Sequence, residues 1–349
     1  MKLLIVGDIH LSKYSSIVRS RGKNFSTRLE HIIKSISWAE QVAKEQDCVE
    51  EIFLGDTFDR PDLDREEITS LSEIEWNKSS RLKHFIVGNH ESGESSLQYS
   101  STQALHKIGV IEDTPYLYHL DDATDLLFLP YITEDDRQPL SSYLEGRDKN
   151  KKLIVFSHND IKDFRMGPFL STTGFKIDEI LDNCDLYING HLHNGDWVVK
   201  DKILNLGVLC GQNFNEDSFK YEHHVAILDT DTLQIEFIEN PYALNFYKLE
   251  INTEEDIKQL YRLKSNAVLS IKCLDKLEER ARDVLKTLSD IVEYRFILYS
   301  EEFNDASDYA VAKTLGINSA DHLEQFKKFI LEKYGNTNII VEELNEVCK

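Results

Sequence analysis

The sequence predicts an α/β fold, because short apolar runs alternate with a segment of helical spacing. Polar residues directly follow five of these runs, at 3–6, 52–54, 85–87, 153–156 and 186–188. Continuous apolar runs of this length suit strands that are buried on both faces. Between the first two runs, residues 26–44 carry apolar side chains at helical spacing. Such alternation indicates sheets flanked by helices, with ligands bound at the edge where the strands end.

The remainder of the chain predicts a second half of the first domain and two further regions. Short strands are expected at 196–199, 203–206, 224–229 and 233–238. We place a domain boundary at Asn240-Pro241, which gives a first domain of residues 1–240. Residues 241–300 predict a small α+β domain, with strands at 246–251, 267–273 and 294–299 and helices at 254–263 and 275–292. Residues 301–349 predict a linker and a C-terminal helical region, with an amphipathic helix at 321–333.

Composition restricts the class of protein. The five cysteines are scattered and odd in number, which favours reduced thiols in a cytoplasmic protein over a disulfide framework. No apolar run reaches the roughly 20 residues of a membrane helix, and the N-terminal run breaks at Gly7-Asp8, as a strand would rather than a signal peptide. The net charge of −22 opposes unaided binding to DNA, because proteins that grip DNA alone usually present a basic face.

Five short motifs at predicted strand ends contain almost only metal-binding side chains. They are Asp8-x-His10, Gly55-Asp56-x-x-Asp59, Gly88-Asn89-His90-Glu91, His158 and Gly190-His191-x-His193. Each alone has an ordinary structural explanation, as a turn or a hydrogen-bonded loop histidine. Their joint occurrence in order favours a metal centre. Carboxylate, amide and imidazole donors without thiolate suit manganese, iron or zinc, and two such ions can clamp the attacking and leaving oxygens of a phosphoester.

This ordered set resembles the calcineurin-like metallophosphoesterase superfamily over about residues 1–240. The resemblance implies a four-layer β-sandwich flanked by helices, and a centre of two divalent ions. It also implies that Asp56 bridges the ions and that His90 is catalytic, beside the scissile phosphate, where it donates a proton to the leaving oxygen or stabilises it. The implied ligands of the first ion are Asp8, His10, Asp56 and His193, and those of the second are Asp56, Asn89, His158 and His191.

Within that superfamily the motifs resemble those of SbcD-type DNA nucleases. The forms Gly7-Asp8-Ile9-His10-Leu11 and Gly55-Asp56-Thr57-Phe58-Asp59 are similar to theirs, as is the tract from Asn205 to Glu216. The resemblance implies a manganese-dependent exonuclease or endonuclease subunit, in double-strand-break repair and recombination. It also implies a homodimer within a heterotetramer, completed by an SbcC-like coiled-coil ATPase. The short C-terminal region is most similar to that of the phage version.

Two further groups of residues carry binding hypotheses. A basic run after the first motif, which also includes Arg28, is either a DNA-backbone contact or a solvated loop. One face of the C-terminal helix either docks on the ATPase partner or packs on its own domain. The DNA-contact candidates are Lys13, Arg19, Arg21 and Lys23, and the partner-contact candidates are Leu323, Phe326, Phe329 and Ile330.

Two other functions remain open at this point. A phosphodiesterase or phosphatase acting on nucleotides or phosphoproteins would use the same ligands and would explain the acidity. A metal-free interaction scaffold is the non-enzymatic alternative, and the intact donor set argues against it. The chain departs from the family pattern at Glu91, where Asp is commoner, and at Asp59, where some members have His, so a catalytic role for Asp59 stays open.

Overall fold

The computed structural model describes residues 1–74, 76, 79–93, 96–166, 169–216, 218–300, 313 and 320–334. The chain divides into two compact units, Met1–Asn245 and Phe246–Lys349. The first unit holds two large sheets and all five motifs, and the second holds a small sheet and the C-terminal helix.

The first large sheet combines four strands from the start of the chain with two from the end of the first unit. Its strands are Lys2–Val6 (β1), Glu50–Phe53 (β2), Leu82–Ile86 (β3), Val110–Glu112 (β4), His224–Asp229 (β15) and Ile235–Glu239 (β16). Their order is β16-β15-β1-β2-β3-β4. Strands β1 to β4 are parallel to one another, whereas β15 is antiparallel to β1 and to β16. The ends of β1, β2 and β3 therefore lie along one edge.

The second large sheet is built from the middle of the chain. Its strands are Tyr116–His119 (β5), Thr124–Leu129 (β6), Lys152–Ser157 (β7), Leu186–Asn189 (β12), Asp196–Val199 (β13) and Ile203–Asn205 (β14), in the order β13-β14-β12-β7-β6-β5. Strands β6, β7, β12 and β14 are parallel. Four two-residue strands lie between β7 and β12, namely Ile161–Lys162 (β8), Arg165–Met166 (β9), Phe169–Leu170 (β10) and Phe175–Lys176 (β11).

The main core lies between the two large sheets. Alternate residues of a strand point to opposite faces, so Leu3 and Ile5 of β1 enter this core together with Phe128 of β6 and Phe156 of β7. The outer face of the second sheet forms another core, in which Tyr187 packs with Ile180 of the helix Ile177–Asn183. Strands β1, β6, β7 and β12 are buried at nearly every residue, so both of their faces are covered, which explains their continuous apolar runs. The predicted sandwich of sheets flanked by helices is confirmed.

The described helices are short apart from the first and the last. Their bounds are Thr27–Glu45 (α1), Arg65–Ser70 (α2), Asn89–Ser92 (α3), Ile177–Asn183 (α4), Glu278–Thr287 (α5) and Ala320–Tyr334 (α6). Helix α1 begins after Ser26, whose side chain accepts a hydrogen bond from the Leu29 N–H and so satisfies a free helix-end donor. Short 3₁₀ helices span Leu71–Glu73, Leu97–Tyr99, Ser101–Leu105 and Leu140–Leu144.

The second unit has a three-stranded sheet in the order β17-β18-β19, formed by Asn245–Ile251 (β17), Ala267–Leu274 (β18) and Ile291–Tyr299 (β19). Two sequence expectations need correction here. The helix predicted at 254–263 is a 3₁₀ helix, Asp256–Arg262. The helix predicted at 275–292 is shorter: a 3₁₀ turn at Asp275–Leu277 leads into α5, and Ile291 already belongs to β19. Pairing of β19 with β18 along its whole length overrides local helical spacing.

The predicted C-terminal region is covered only in part by the structure. Helix α6 matches the amphipathic segment expected at 321–333. The remainder of the expected linker and tail, at 301–312, 314–319 and 335–349, lies outside the described residues. Among the helices of the described residues, none is long and apolar enough to span a bilayer.

A buried group of four charges links α1 to the first sheet. The Lys83 ammonium on β3 lies 3.1 Å from a Glu40 carboxylate oxygen and 3.3 Å from one of Glu51. Arg81 contacts both carboxylates as well, at 2.8 Å and 2.5 Å. Lys83 and Glu51 are fully buried. Removing Lys83 would leave the two carboxylates with Arg81 as their one shared cation among the described residues, and an incompletely compensated buried charge is strongly destabilising.

We therefore expect Lys83→Met to lower the free energy of unfolding of the first unit by about 3–5 kcal/mol, measured by urea denaturation. Lys248→Met, at an exposed position of β17, is the matched control and should change it by roughly 0.5 kcal/mol or less. Equal stability of the two variants would contradict the role given to the buried charges.

Candidate metal centre

The five motifs lie at the carboxyl ends of parallel strands from both large sheets. Asp8 and His10 follow β1, Asp56 follows β2, and Asn89 and His90 begin α3 just after β3. His158 follows β7, and His191 and His193 follow β12. The carboxyl ends of parallel strands meet at one edge of a sheet, and here the edges of two sheets adjoin. The structure thus brings all eight predicted site residues together.

A first group of donors consists of Asp8, His10 and His193, whose donor atoms all lie within 4.8 Å of one another. His10 Nε2 lies 3.9 Å from Asp8 Oδ2, and both residues are fully buried. The rings of His10 and His193 are 4.9 Å apart between centroids. These are three of the four ligands expected for the first ion.

A second group consists of Asp56, His158 and His191, again with donor atoms within 4.8 Å of one another. Asn89 joins it through its side-chain oxygen, which lies 3.2 Å from His158 Nε2 and 3.0 Å from His191 Nδ1. These four residues are the ligands expected for the second ion.

Asp56 links the two groups. Its Oδ2 lies 3.2 Å from His158 Nε2 in the second group and 3.7 Å from His10 Nε2 in the first. Its Oδ1 accepts a hydrogen bond from the His90 backbone N–H at 3.0 Å. Burial by itself would raise the pKa of Asp56, but the neighbouring His158, His10 and His90 hold that pKa well below its usual range. A carboxylate in this position can contact two cations at once.

Close backbone approach makes this arrangement possible. A Cβ atom at Gly88 would lie only 2.1 Å from Asp56 Oδ1, and one at Gly55 would lie 2.4 Å from His158 Nδ1. Three of the donors have a left-handed backbone, namely His10, Asp56 and His191, at φ values of 48°, 45° and 73°. Non-glycine residues adopt this conformation at a cost, and it concentrates at functional sites.

His90 is the most accessible of the eight site residues, since 43% of its side chain is exposed. It belongs to a third donor group with His10 and Asp56, and its ring lies 4.7 Å from that of His10. His90 Nδ1 lies 3.1 Å from the carbonyl oxygen of Asp59, while the Asp59 carboxylate lies 3.2 Å from His10 Nδ1. Asp59 therefore orients both rings.

Two orienting carboxylates were not predicted as site residues. Glu216, which is buried, lies 3.2 Å from His193 Nδ1 and also accepts the Gln212 N–H at 2.8 Å. Burial lowers the pKa of His193, but Glu216 together with Asp8 and Asp56 outweighs that effect and raises it. Asp160 lies 3.3 Å from His191 Nε2 and accepts a hydrogen bond from Thr173. The proximity of His158-x-Asp160 was visible in the sequence, whereas Glu216 reaches the site only through the fold.

Two more residues, Glu91 and Arg28, form hydrogen bonds with backbone groups of the motifs. Glu91 accepts hydrogen bonds from Gly88 N–H at 2.7 Å and Phe58 N–H at 3.1 Å, so it joins the second and third motifs. Burial raises its pKa to about 7. Arg28 is buried on α1 and donates to the His10 carbonyl oxygen at 3.2 Å. Arg28 is thus a structural part of the site rather than a member of an exposed basic surface.

The donor set fits a pair of divalent cations. Among the described residues, the buried atoms Asp8 Oδ2 and His10 Nε2 have no hydrogen-bond partner. Buried polar atoms without partners are costly, and a cation between them would remove that cost. Oxygen and imidazole donors without thiolate suit borderline-hard ions. The His158 ring is oriented by the Leu54 carbonyl oxygen, 2.8 Å from its Nδ1, as is usual for metal-binding histidines.

Two residues of the basic run, Lys13 and Arg21, form ion pairs with acidic neighbours. Lys13 lies 2.6 Å from Asp64 and 4.0 Å from Glu66, and Arg21 lies 3.1 Å from Glu66. Arg19 is exposed and donates to the Ser16 carbonyl oxygen at 3.1 Å, and Lys23 is exposed. DNA contact by these residues stays a prediction.

The partner-contact candidates on α6 differ in exposure. Leu323 is buried, Phe326 is half-buried and Phe329 is 53% exposed. The side chain of Ile330 lies outside the described residues. Their predicted role in docking is not tested by these positions.

The fold and the donor set are those of a metal-dependent phosphoesterase. The sequence profile of the calcineurin-like phosphoesterase family matches residues 1–195 of the 349, which is more than half of the chain. The chain therefore belongs to the calcineurin-like phosphoesterase family. The superfamily predicted from the sequence is thus confirmed. Membership implies hydrolysis of phosphoesters with two divalent metal ions.

The chain is also similar to two solved structures of phosphoesterases. A dimetal phosphatase from Danio rerio is 13% identical, with a TM-score of 0.43, and the match covers 69% of this chain and 99% of that one. Yfce, a phosphoesterase from E. coli, is likewise 13% identical, with a TM-score of 0.31, and the match covers 69% of this chain and 100% of that one. No curated protein sequence matches the chain.

The orienting carboxylates lead to a prediction about metal affinity. Glu216→Gln should weaken binding of Mn²⁺ at the first donor group by roughly 10–100-fold, because loss of such a partner frees the ligand ring and lowers its basicity. Isothermal titration calorimetry measures the Mn²⁺ affinity of both donor groups. Asp160→Asn should weaken Mn²⁺ binding at the second donor group instead.

The matched control is Glu236→Gln, at an exposed position of β16 far along the chain from the motifs. It should leave both affinities unchanged. If Glu216→Gln also binds both ions like the wild-type protein, the orienting role of Glu216 is wrong.

Proposed function

We propose that this chain is a manganese-dependent DNA nuclease subunit of the SbcD type, which hydrolyses phosphodiester bonds together with an SbcC-like coiled-coil ATPase. The observation that carries the proposal is the pair of donor groups joined by Asp56, with the exposed His90 beside them. An accessible His90 suits a polymeric substrate, because a DNA strand must reach the centre without entering a closed cavity. The motif forms at Asp8 to Leu11 and Asp56 to Asp59 support the nuclease branch.

The contacts of the site residues indicate the role of each in the proposed hydrolysis. Two divalent ions bound by the two groups would neutralise the phosphate and lower the pKa of water for attack. His90 uses Nδ1 to donate to the Asp59 carbonyl oxygen, so its Nε2 is left to protonate the leaving oxygen. Asp59 keeps this ring and the His10 ring in place. Asp160 and Glu216 do the same for His191 and His193.

A phosphatase or phosphodiesterase acting on nucleotides or phosphoproteins is the second candidate. It is favoured by the net charge of −22 and by the ion pairs that occupy Lys13 and Arg21. Both features weaken the electrostatic attraction of DNA. Under the nuclease proposal, the ATPase partner supplies the missing positive surface, and a homodimer of this chain forms a heterotetramer with it. A metal-free scaffold is disfavoured, since the described donor set is intact.

A substrate panel separates these functions. With Mn²⁺, we expect cleavage of linear double-stranded or single-stranded DNA and of bis-p-nitrophenyl phosphate, with less activity in Mg²⁺. His90→Ala should lower the rate of DNA cleavage by roughly 10²–10⁴-fold, because the leaving sugar oxygen loses its proton donor.

The control variant is His106→Ala, whose exposed ring only contacts the Gln103 carbonyl oxygen. It should cleave like the wild-type protein. Activity on p-nitrophenyl phosphate or bis-p-nitrophenyl phosphate without any on DNA would refute the nuclease and favour the phosphatase. Inactivity on every substrate, in a protein that binds no divalent ion, would favour the metal-free scaffold.

Partner docking on α6 can be tested with two neighbouring positions. Phe329 and Leu331 are 53% and 51% exposed, and two residues apart on a helix they lie on nearly opposite sides. Phe329→Asp should weaken binding of the co-expressed ATPase subunit by about tenfold or more, measured by co-purification and calorimetry. Leu331→Asp should bind as the wild-type chain does, and equal binding by both variants would rule out this face.

A further inference from the structure

A pocket of about 590 Å³ adjoins the candidate metal centre. One wall is Ser92 and Gly93, which follow His90 at the end of α3. The facing wall is the loop after β6, including Tyr131, whose ring centroid lies 5.9 Å from that of His191. The pocket is therefore lined by residues that neighbour the second donor group and the exposed histidine.

The facing wall is held in place by the backbone of the site. The Tyr131 N–H donates to the Val87 carbonyl oxygen at 2.9 Å, at the end of the strand that leads to Gly88 and Asn89. The next N–H, of Ile132, donates to the Asn159 side chain at 2.9 Å, directly after His158. Both walls are thus tied to motifs of the metal centre, so the pocket is formed before any ligand arrives.

The chemistry of the wall does not suit a phosphate. Among the described residues that line the pocket, none is Lys, Arg or His, and Asp136 adds a negative charge. Tyr131 and Tyr143 supply aromatic rings, and Pro130 and Ile132 supply apolar surface. Such a wall suits a neutral group with an aromatic face, while the phosphate attached to it is left to the cations. Volumes of roughly 300–1,000 Å³ are usual for small-ligand pockets.

We propose that this pocket binds one nucleoside of the nucleotide whose phosphate lies at the metal centre. Aromatic side chains bind bases of any sequence by stacking, because every base has a π-face. The occupant is thus an unstacked base with its sugar, and the pocket confers preference for nucleotides without strong sequence preference. This inference rests on the proposed nuclease function and gives its substrate a defined place.

The test compares two phosphate monoesters that differ in the group attached to the phosphate. Binding of thymidine 5′-monophosphate and of methyl phosphate to the Mn²⁺-loaded protein is measured by isothermal titration calorimetry. We expect the nucleotide to bind about tenfold or more tightly, and Tyr131→Ala to remove most of that preference. Tyr261→Ala, at an exposed position of the second unit, is the control and should keep it.

A second variant guards against loss of folding. Ser96→Leu places a branched side chain without an aromatic ring at an exposed position of the pocket wall and should reduce the preference by filling part of the space. Equal affinity of the wild-type protein for the two esters would overturn the pocket assignment, as would a preference unchanged in both pocket variants. The nuclease proposal is judged separately by DNA cleavage, so the two can fail independently.

Discussion

The structure depends on the close approach of two sheet edges around Asp56. This carboxylate is buried between the His10 and His158 rings and accepts the His90 backbone N–H. Burying a carboxylate is unfavourable unless charges and donors compensate for it. Here donors from both sheets compensate, and the left-handed backbone at Asp56 turns it toward them. The site is therefore a property of the packed sandwich and not of any one motif.

A layer of orienting groups surrounds the donors. His10, His158, His191 and His193 each have one ring nitrogen near a carboxylate or carbonyl oxygen. A histidine held on one side presents its other nitrogen in a defined direction. Binding geometry is thereby set before cations arrive. His90 differs, since it is oriented by a backbone carbonyl and remains exposed.

The chain carries a net negative charge, and the proposed substrate, DNA, is also negative. The distribution of charge around the site bears on how the two can associate. Lys13 and Arg21 form ion pairs with Asp64 and Glu66, so these two members of the basic run contribute little positive charge to DNA attraction. Cations at the centre would attract a phosphate locally, and the neighbouring pocket would hold the neutral part of a nucleotide. Longer-range attraction of DNA would then come from a partner, which explains why the proposal requires one.

The sequence by itself indicated the α/β class, nine of the twelve described strands of the two large sheets and the eight candidate site residues, because buried strands require apolar runs and metal ligands are restricted to few residue types. It did not identify β4, β5 and β6. It also located α1 from Ser26 and helical spacing. The helix predicted at 275–292 from local spacing was wrong at its end, because the residues from Ile291 onward form β19, which pairs with β18. Only the tertiary structure decided that Arg28 is buried, that Glu216 orients His193 and that Tyr131 lines a pocket. These roles depend on contacts between residues far apart in the chain, and no short-range pattern encodes them.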